Sequence, residues 1–264
     1  ASEIAMRCGP TIRLINFTRH PLGKSFSSTG EMNLTNQEDN LFTIDILRAK
    51  NQKLAGLASR YSATGITIQY AVIDDEFRNG IDTYLRDEEI DLVVMGTSGE
   101  ETAQESFTGN HTLQVIRISS CPVLSVKDRF NVKDFENIVV AVSVITDNQV
   151  GGGLNVIKDI SQCFNSRIHL VHVRDKASDS NLLLDDYFTR MASIARLAQL
   201  QVVLLVSQDP INGVLDYAAR VSAGLIAVLK NSPSGILRIF SNKFSNKVIK
   251  EEGRPVFTVN LNNT

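Results

Sequence analysis

The stretch LVVMGTSGEETAQESFTGNHTLQVIRISSCPVLSV, residues 92–126, decides the fold. An aliphatic run, Leu92 to Met95, stops at Gly96, and Gly99 follows after two intervening residues. Nine residues then separate Gly99 from Gly109. The run Asn110-His111-Thr112 opens a helical pattern, and the strand-like Pro122–Val126 closes the unit. A buried strand that ends in glycine brings bare backbone to an anion, because no Cβ holds the amide N–H groups away. A helix start adds unpaired N–H groups and the positive end of the peptide dipoles. The pattern points to a phosphate-bearing ligand. The plainer alternative is that the glycines only shape a tight strand–loop–helix connection.

The unit occurs twice. At an offset of 133 residues, Asn79-Gly80-Ile81 meets Asn212-Gly213-Val214, and Tyr84 meets Tyr217. At the same offset Leu92–Met95 meets Leu225–Val228, and Pro122–Val126 meets Pro255–Val259. Upstream the offset is 156, so that Ile12–Phe17 meets Ile168–Val173, and the first repeat holds 23 extra residues. These fall in the Gly-, Ser- and Asn-rich segment 21–40, whose composition is that of a surface loop. The strand-like run Asn137–Val144 has no counterpart in the first repeat. The expectation is that the first repeat lacks its first strand and that the chain is a fragment. Two domains are expected, 1–130 and 131–264, joined by the charged segment 127–136.

Aliphatic runs alternate with amphipathic helical patterns, which is the α/β arrangement of a parallel sheet with crossover helices. Strands are expected near 11–17, 66–73, 91–96 and 122–126, with helices near 2–8, 41–62, 77–88 and 110–118. In the second repeat strands are expected near 137–144, 167–173, 201–206, 225–229 and 255–260. Helices there are expected near 150–163, 181–199, 211–222 and 242–251.

The spacing Gly-x2-Gly-x9-Gly, with a strand before it and a helix and Cys-Pro-Val strand after it, resembles the ATP-binding signature of the universal stress protein family. The resemblance implies an open parallel sheet in the order 3-2-1-4-5 in each repeat, with flanking helices. It implies that Pro122–Val126 and Pro255–Val259 pair edge to edge as an intrachain pseudo-dimer. On that order the absent first strand of repeat one would be central, a place where unpaired N–H and C=O groups cannot stay unfilled. By position, Phe17 would pack near the adenine and Met95 near the base or ribose. Gly96, Thr97 and Gly99 would cradle phosphates, and Gly109, Asn110, His111 and Thr112 would hold phosphate and ribose. The implied cofactor is ATP, with Mg²⁺ offsetting Glu100, Glu101 and Glu105. Two departures stand out: Asn110 replaces the usual Ser or Thr, and Glu100 stands where the family is often basic. In the second repeat the three glycine positions hold Leu229, Ser232 and Asn242, so no ATP site is expected there.

Composition narrows the rest. Apolar residues make up 43% and charged residues 21%, as in a globular protein, and the net charge of −2 offers no basic field for nucleic acid. No apolar run reaches bilayer length and no basic-then-apolar leader is present, so a cytoplasmic location without membrane contact is expected. Gly23-Lys24-Ser25 lacks the first glycine of a P-loop, and Gly151-Gly152-Gly153 lacks the third glycine of a dinucleotide fingerprint. His169 and His172 have no Cys or acidic partner at ligand spacing and are expected as core histidines. No hydrolytic constellation is present. The expected function is a stress-response regulatory protein that binds ATP or a related adenine nucleotide and an unknown protein partner, not an enzyme. The alternative is a nucleotide-free interaction or regulatory scaffold module belonging to a larger protein.

Overall fold

The computed structural model describes residues 1–9, 11–18, 37–62, 64–96, 106–127, 135–142, 147–174, 186–191, 193, 196, 199–230 and 253–260. The chain divides into two compact units, Ala1–Glu88 and Glu89–Thr264. This division does not follow the repeat boundary near 130, because hydrogen bonding joins the last two strands of the first repeat to the second.

The first unit contains α1 (Ser2–Cys8), β1 (Ile12–Phe17), α2 (Gln37–Ser62), β2 (Ile68–Ile73) and α3 (Phe77–Asp87). Helix α1 stops at Gly9, whose φ of 78° is left-handed and whose N–H closes on the Ala5 carbonyl at 2.9 Å. Strands β1 and β2 run parallel, in register from Ile12↔Ile68 to Phe17↔Ile73. Ile4, Ala5, Leu54, Ala58, Ile66, Ile81 and Leu85 form the buried core. Gly80 lets α3 lie against β1. A Cβ there would stand 2.7 Å from two ring carbons of Phe17.

The second unit contains β3 (Val93–Gly96), α4 (Ser106–Ile118), β4 (Val123–Val126), β5 (Asn137–Ala141), α5 (Asp147–Phe164), β6 (Arg167–Arg174), β7 (Leu200–Val206), α6 (Pro210–Arg220), β8 (Leu225–Lys230) and β9 (Val256–Asn260). Residues 186–191 are also helical, within the helix expected over 181–199. The helix expected over 242–251 lies outside the described residues. Helix α6 starts where Asp209 accepts from the Ile211 and Asn212 N–H groups at 3.0 and 3.1 Å, with Pro210 in its first turn. The glycine triplet 151–153 lies inside α5, not in a strand–helix loop.

Seven strands form one sheet in the order β3-β4-β9-β8-β5-β6-β7. From β7 to β9 this is the order 3-2-1-4-5 of the second repeat. Strand β5 is central because Ile138 to Ala141 are aliphatic without interruption and buried on both faces. Strands β4 and β9 pair antiparallel, as the resemblance implies, with Val123↔Thr258, Leu124↔Phe257 and Ser125↔Val256. Leu124 and Phe257 are themselves repeat equivalents, and the flanking pairs exchange under the same offset. The seam is an internal pseudo-two-fold axis, the intrachain version of an isologous contact. The Ser125 hydroxyl crosses it to the Val256 carbonyl at 3.1 Å.

Among the described residues β1 pairs only with β2, and β3 only with β4. Among them, no strand occupies the first-strand position of repeat one.

His169 and His172 are core residues. The His169 ring lies 2.9 Å from the Tyr217 hydroxyl and 3.2 Å from Asn137 Oδ1. His172 Nδ1 donates to the Val142 carbonyl at 3.0 Å, and its ring packs on Phe188. Burial, with a smaller contribution from Arg167, pushes His169 below the ordinary 6.5. Burial also lowers His172, against the opposing bond to Val142. A lowered base binds fewer protons folded than unfolded, so its stabilisation is whole above the unfolded pKa and lost as pH falls through it. The expected result is a melting temperature that is flat above about pH 7 and falls from about pH 6.5 to 5, before most carboxylates titrate. Replacing both histidines by asparagine should flatten that slope in a thermal melt series, whatever it does to stability at pH 8.

Candidate functional site

The candidate residues divide between the two units. Met95 and Gly96 end β3 in the second unit, where the strand's carboxyl end meets the glycine-containing segment. Open parallel sheets place ligands outside the carboxyl ends of their strands. Met95 is half-buried, and Gly96 is exposed. Thr97 and Gly99 lie outside the described residues, as do Glu100, Glu101 and Glu105.

Gly96 is the informative glycine. Its φ is not left-handed, and a Cβ built on it would meet no atom of the described residues within 4 Å. Among the described residues neither backbone conformation nor packing requires a glycine there. By contrast, Gly80 and its repeat equivalent Gly213 are packing positions. A Cβ on Gly213 would stand 3.1 Å from Ser207 Cβ and 3.3 Å from a Val173 methyl. The repeat equivalent of Gly96 is Leu229, whose side chain is fully buried. The second repeat fills with hydrocarbon the position that the first leaves bare.

Helix α4 begins at Ser106, earlier than the start near 110 read from the sequence. Once nucleated, a helix propagates through a single glycine at a cost of only about 1 kcal/mol, so Gly109 does not stop it. Gly109, Asn110, His111 and Thr112 therefore sit within its first two turns. His111 is half-buried, and Thr112 is 1% exposed. The Thr112 hydroxyl is buried without a hydrogen-bond partner among the described residues. An orphaned hydroxyl of that kind costs about 1–3 kcal/mol unless something satisfies it.

Phe17 belongs to the first unit. Its ring is edge-on to Phe77 at 5.6 Å and to Tyr84 at 6.5 Å, and the bare Cα of Gly80 admits it. Phe17 thus has a packing role in its own unit that its position at a strand end did not reveal. Just beyond it, Lys50 donates to the Thr18 hydroxyl at 2.7 Å, and Thr18 donates to Asn16 Oδ1 at 2.9 Å. This polar chain at the carboxyl end of β1 escaped the sequence reading. Its only signal was a threonine directly after a strand, and the lysine comes from 32 positions away.

The two repeats also share a tie from the strand Ile12–Phe17, or its equivalent β6, to the helix after the next strand. Arg13 hydrogen-bonds Tyr84 and pairs with Glu88, which holds the guanidinium above its ordinary range. At the equivalent positions His169 meets Tyr217, and Arg220 stacks over the Tyr217 ring at 4.8 Å. Among the described residues no cluster of His, Cys, Asp and Glu could hold a metal ion. Among them, too, no helix is long and apolar enough to cross a membrane. Cys121 is a half-buried free thiol whose pKa burial raises, so it is a poor nucleophile.

Residues 12–127 match the sequence model described as the universal stress protein family. No curated protein matches the chain. A universal stress protein from Archaeoglobus fulgidus DSM 4304 has a similar structure, with a TM-score of 0.65 and 16% identity over 97% of this chain and 90% of that one. A functionally unknown protein, PA1789 from Pseudomonas aeruginosa PAO1, gives a TM-score of 0.55 at 12% identity over 97% and 94% of the two chains. The cytoplasmic domain of a prokaryotic cation chloride cotransporter gives 0.50 at 10% identity over 94% and 95%. At such identities these likenesses speak for the fold. Residues 12–127 thus match the universal stress protein family, and the glycine spacing and sheet order agree with that likeness.

Proposed function

We propose that the first repeat binds an adenine nucleotide, ATP or a close relative, through backbone amides between the end of β3 and the start of α4. The supporting observation is the contrast between Gly96 and Leu229. One register position is bare and open in the first repeat and filled by a buried side chain in the second. A glycine that the fold does not need is best explained by a group that must come close to the backbone. Gly96, Thr97 and Gly99 would hold phosphates by N–H donation, as would Gly109 and Asn110 near the helix start. Met95 would face base or ribose, and His111 and the Thr112 hydroxyl would serve phosphate or ribose. Mg²⁺, carried in with the triphosphate, would offset the acidic residues Glu100, Glu101 and Glu105.

On this reading the protein is a cytoplasmic regulatory binder in a stress response, and nucleotide occupancy shapes a surface seen by a protein partner. It is not built as an enzyme. Calorimetric titration of the whole chain with Mg-ATP tests the proposal. Saturable heat is expected, with a stabilisation of about 2.7 kcal/mol when ligand is a hundredfold above Kd. Neither heat nor a thermal shift would reject it. The second reading, a nucleotide-free regulatory module of a larger protein, draws support from the similar fold of the cotransporter's cytoplasmic domain. It expects no response to nucleotide at all.

A further inference from the structure

We infer that Arg167 and Arg220, at the amino ends of β5 and β6, hold an oxyanion of the phosphate class. This place is independent of the nucleotide reading, which concerns the carboxyl end of β3. Asn137 opens β5 and Arg167 opens β6, and the two stand opposite each other in the parallel register. His169 follows two residues after Arg167, so Asn137, Arg167 and His169 share one face of the sheet. Helix α6 packs on that face, where its Tyr217 hydroxyl lies 2.9 Å from His169 Nδ1. Arg220, in the last turn of α6, lays its guanidinium over the Tyr217 ring at 4.8 Å from the centroid. Two cations therefore border one buried pair of rings.

The hydrogen bonds leave this place rich in donors. Asn137 Oδ1 can only accept, so His169 Nε2, 3.2 Å away, is the donor. The neutral ring then keeps its lone pair at Nδ1, which accepts from the Tyr217 hydroxyl. Burial, and to a smaller degree Arg167, favours that neutral ring. Acceptors are consumed inside the chain of bonds. Toward the surface stand the half-buried Asn137, with its Nδ2 donors, and the exposed Arg167 and Arg220.

In the first repeat the same place is closed by the chain's own acid. Arg13, the equivalent of His169, hydrogen-bonds Tyr84 and pairs with Glu88. At the offset of 133, Asp87-Glu88 becomes Arg220-Val221, and at the offset of 156, Thr11 becomes Arg167. One cation facing two carboxylates is thus exchanged for two cations facing none at these positions. Among the described residues neither Arg167 nor Arg220 makes an ion pair, whether with Glu136 beside Asn137 or with Asp216 in α6. The negative end of α6 favours one cation, Arg220, but gives no reason for a second on the neighbouring strand. Two guanidiniums match the charge of a phosphate monoester, and their planar forks match its oxygens in pairs. A lone carboxylate would leave one of the charges over.

Titration of the whole chain with inorganic phosphate at constant ionic strength tests this, read from the arginine Nε–H resonances. The Arg167 and Arg220 signals should shift together and saturate in the millimolar range. Arg220→Gln should weaken the response of Arg167 about tenfold, and Arg167→Gln that of Arg220, through loss of one charge-assisted contact. Both side chains are exposed, so the variants should keep the fold, which a thermal melt checks. Arg220→Lys keeps the charge without the fork and should fall between the two. Gly96→Val should leave the phosphate response of both arginines unchanged, which separates this place from the proposed nucleotide site. Glycerol 3-phosphate run beside inorganic phosphate distinguishes the sources, the tighter binder naming ester or free ion. The inference is overturned if chloride at the same ionic strength shifts the two signals equally, or if the glutamine variants bind phosphate as the natural chain does. Acetate binding as tightly as phosphate would also overturn it, by naming a carboxylate as the occupant.

Discussion

Gly96→Val is expected to weaken adenine-nucleotide binding about a hundredfold while leaving the fold intact. A charge-assisted hydrogen bond contributes about 1.5–3 kcal/mol, so losing one or two amide–phosphate contacts to an intruding side chain is enough. The substitution carries no structural penalty of its own. The position is extended strand backbone in register with Val126, and a Cβ would meet nothing among the described residues within 4 Å. Valine suits a strand better than glycine does, so stability should hold or rise by a few tenths of a kcal/mol. The measurement is a calorimetric titration with Mg-ATP beside a urea melt. Unchanged affinity in a stable variant would remove the backbone cradle from the account. Lost affinity in an unstable variant would instead show that the glycine serves the fold.

Phe257→Ala is expected to cost the second unit about 3–5 kcal/mol, the usual range for removing a fully buried aromatic ring. Phe257 is 0% exposed and pairs with Leu124, 1% exposed, on the pseudo-two-fold seam. The cavity would open between two strands whose neighbours are close-packed, so little collapse can repair it. As a control, Val206→Ala removes a side chain that is 54% exposed at the end of β7, and should change stability by no more than about 0.5 kcal/mol. Urea denaturation reads both. A Phe257→Ala cost below about 1 kcal/mol would mean that β4 and β9 do not form this seam in solution.

Much of the architecture was legible from local pattern. Each expected strand is present within two or three residues of its expected bounds. The aliphatic runs are unambiguous because strands buried on both faces tolerate few polar residues, and the repeat doubled the evidence for each element. The order of the second repeat and the β4–β9 pairing followed from the resemblance. The start of α4 was misplaced, because a glycine next to good capping residues looks like a boundary when the helix in fact runs through it. The unit boundary after Glu88 was not visible either, since it reflects which strands share hydrogen bonds and not where the sequence repeats.

The site was legible only as positions. Gly80 and Gly96 are the same residue on a linear chain. Only the folded backbone shows that one is occupied by the Phe17 ring and the other is open. The sequence by itself determined the element order, the parallel sheet, the duplication and the loss of glycine from the three motif positions of the second repeat. All of these depend on residue type and spacing along the chain. Tertiary structure alone decided which backbone edges are covered, which hydroxyls are orphaned and which glycine leaves room. Each of those depends on atoms far apart in sequence that meet within a few ångströms.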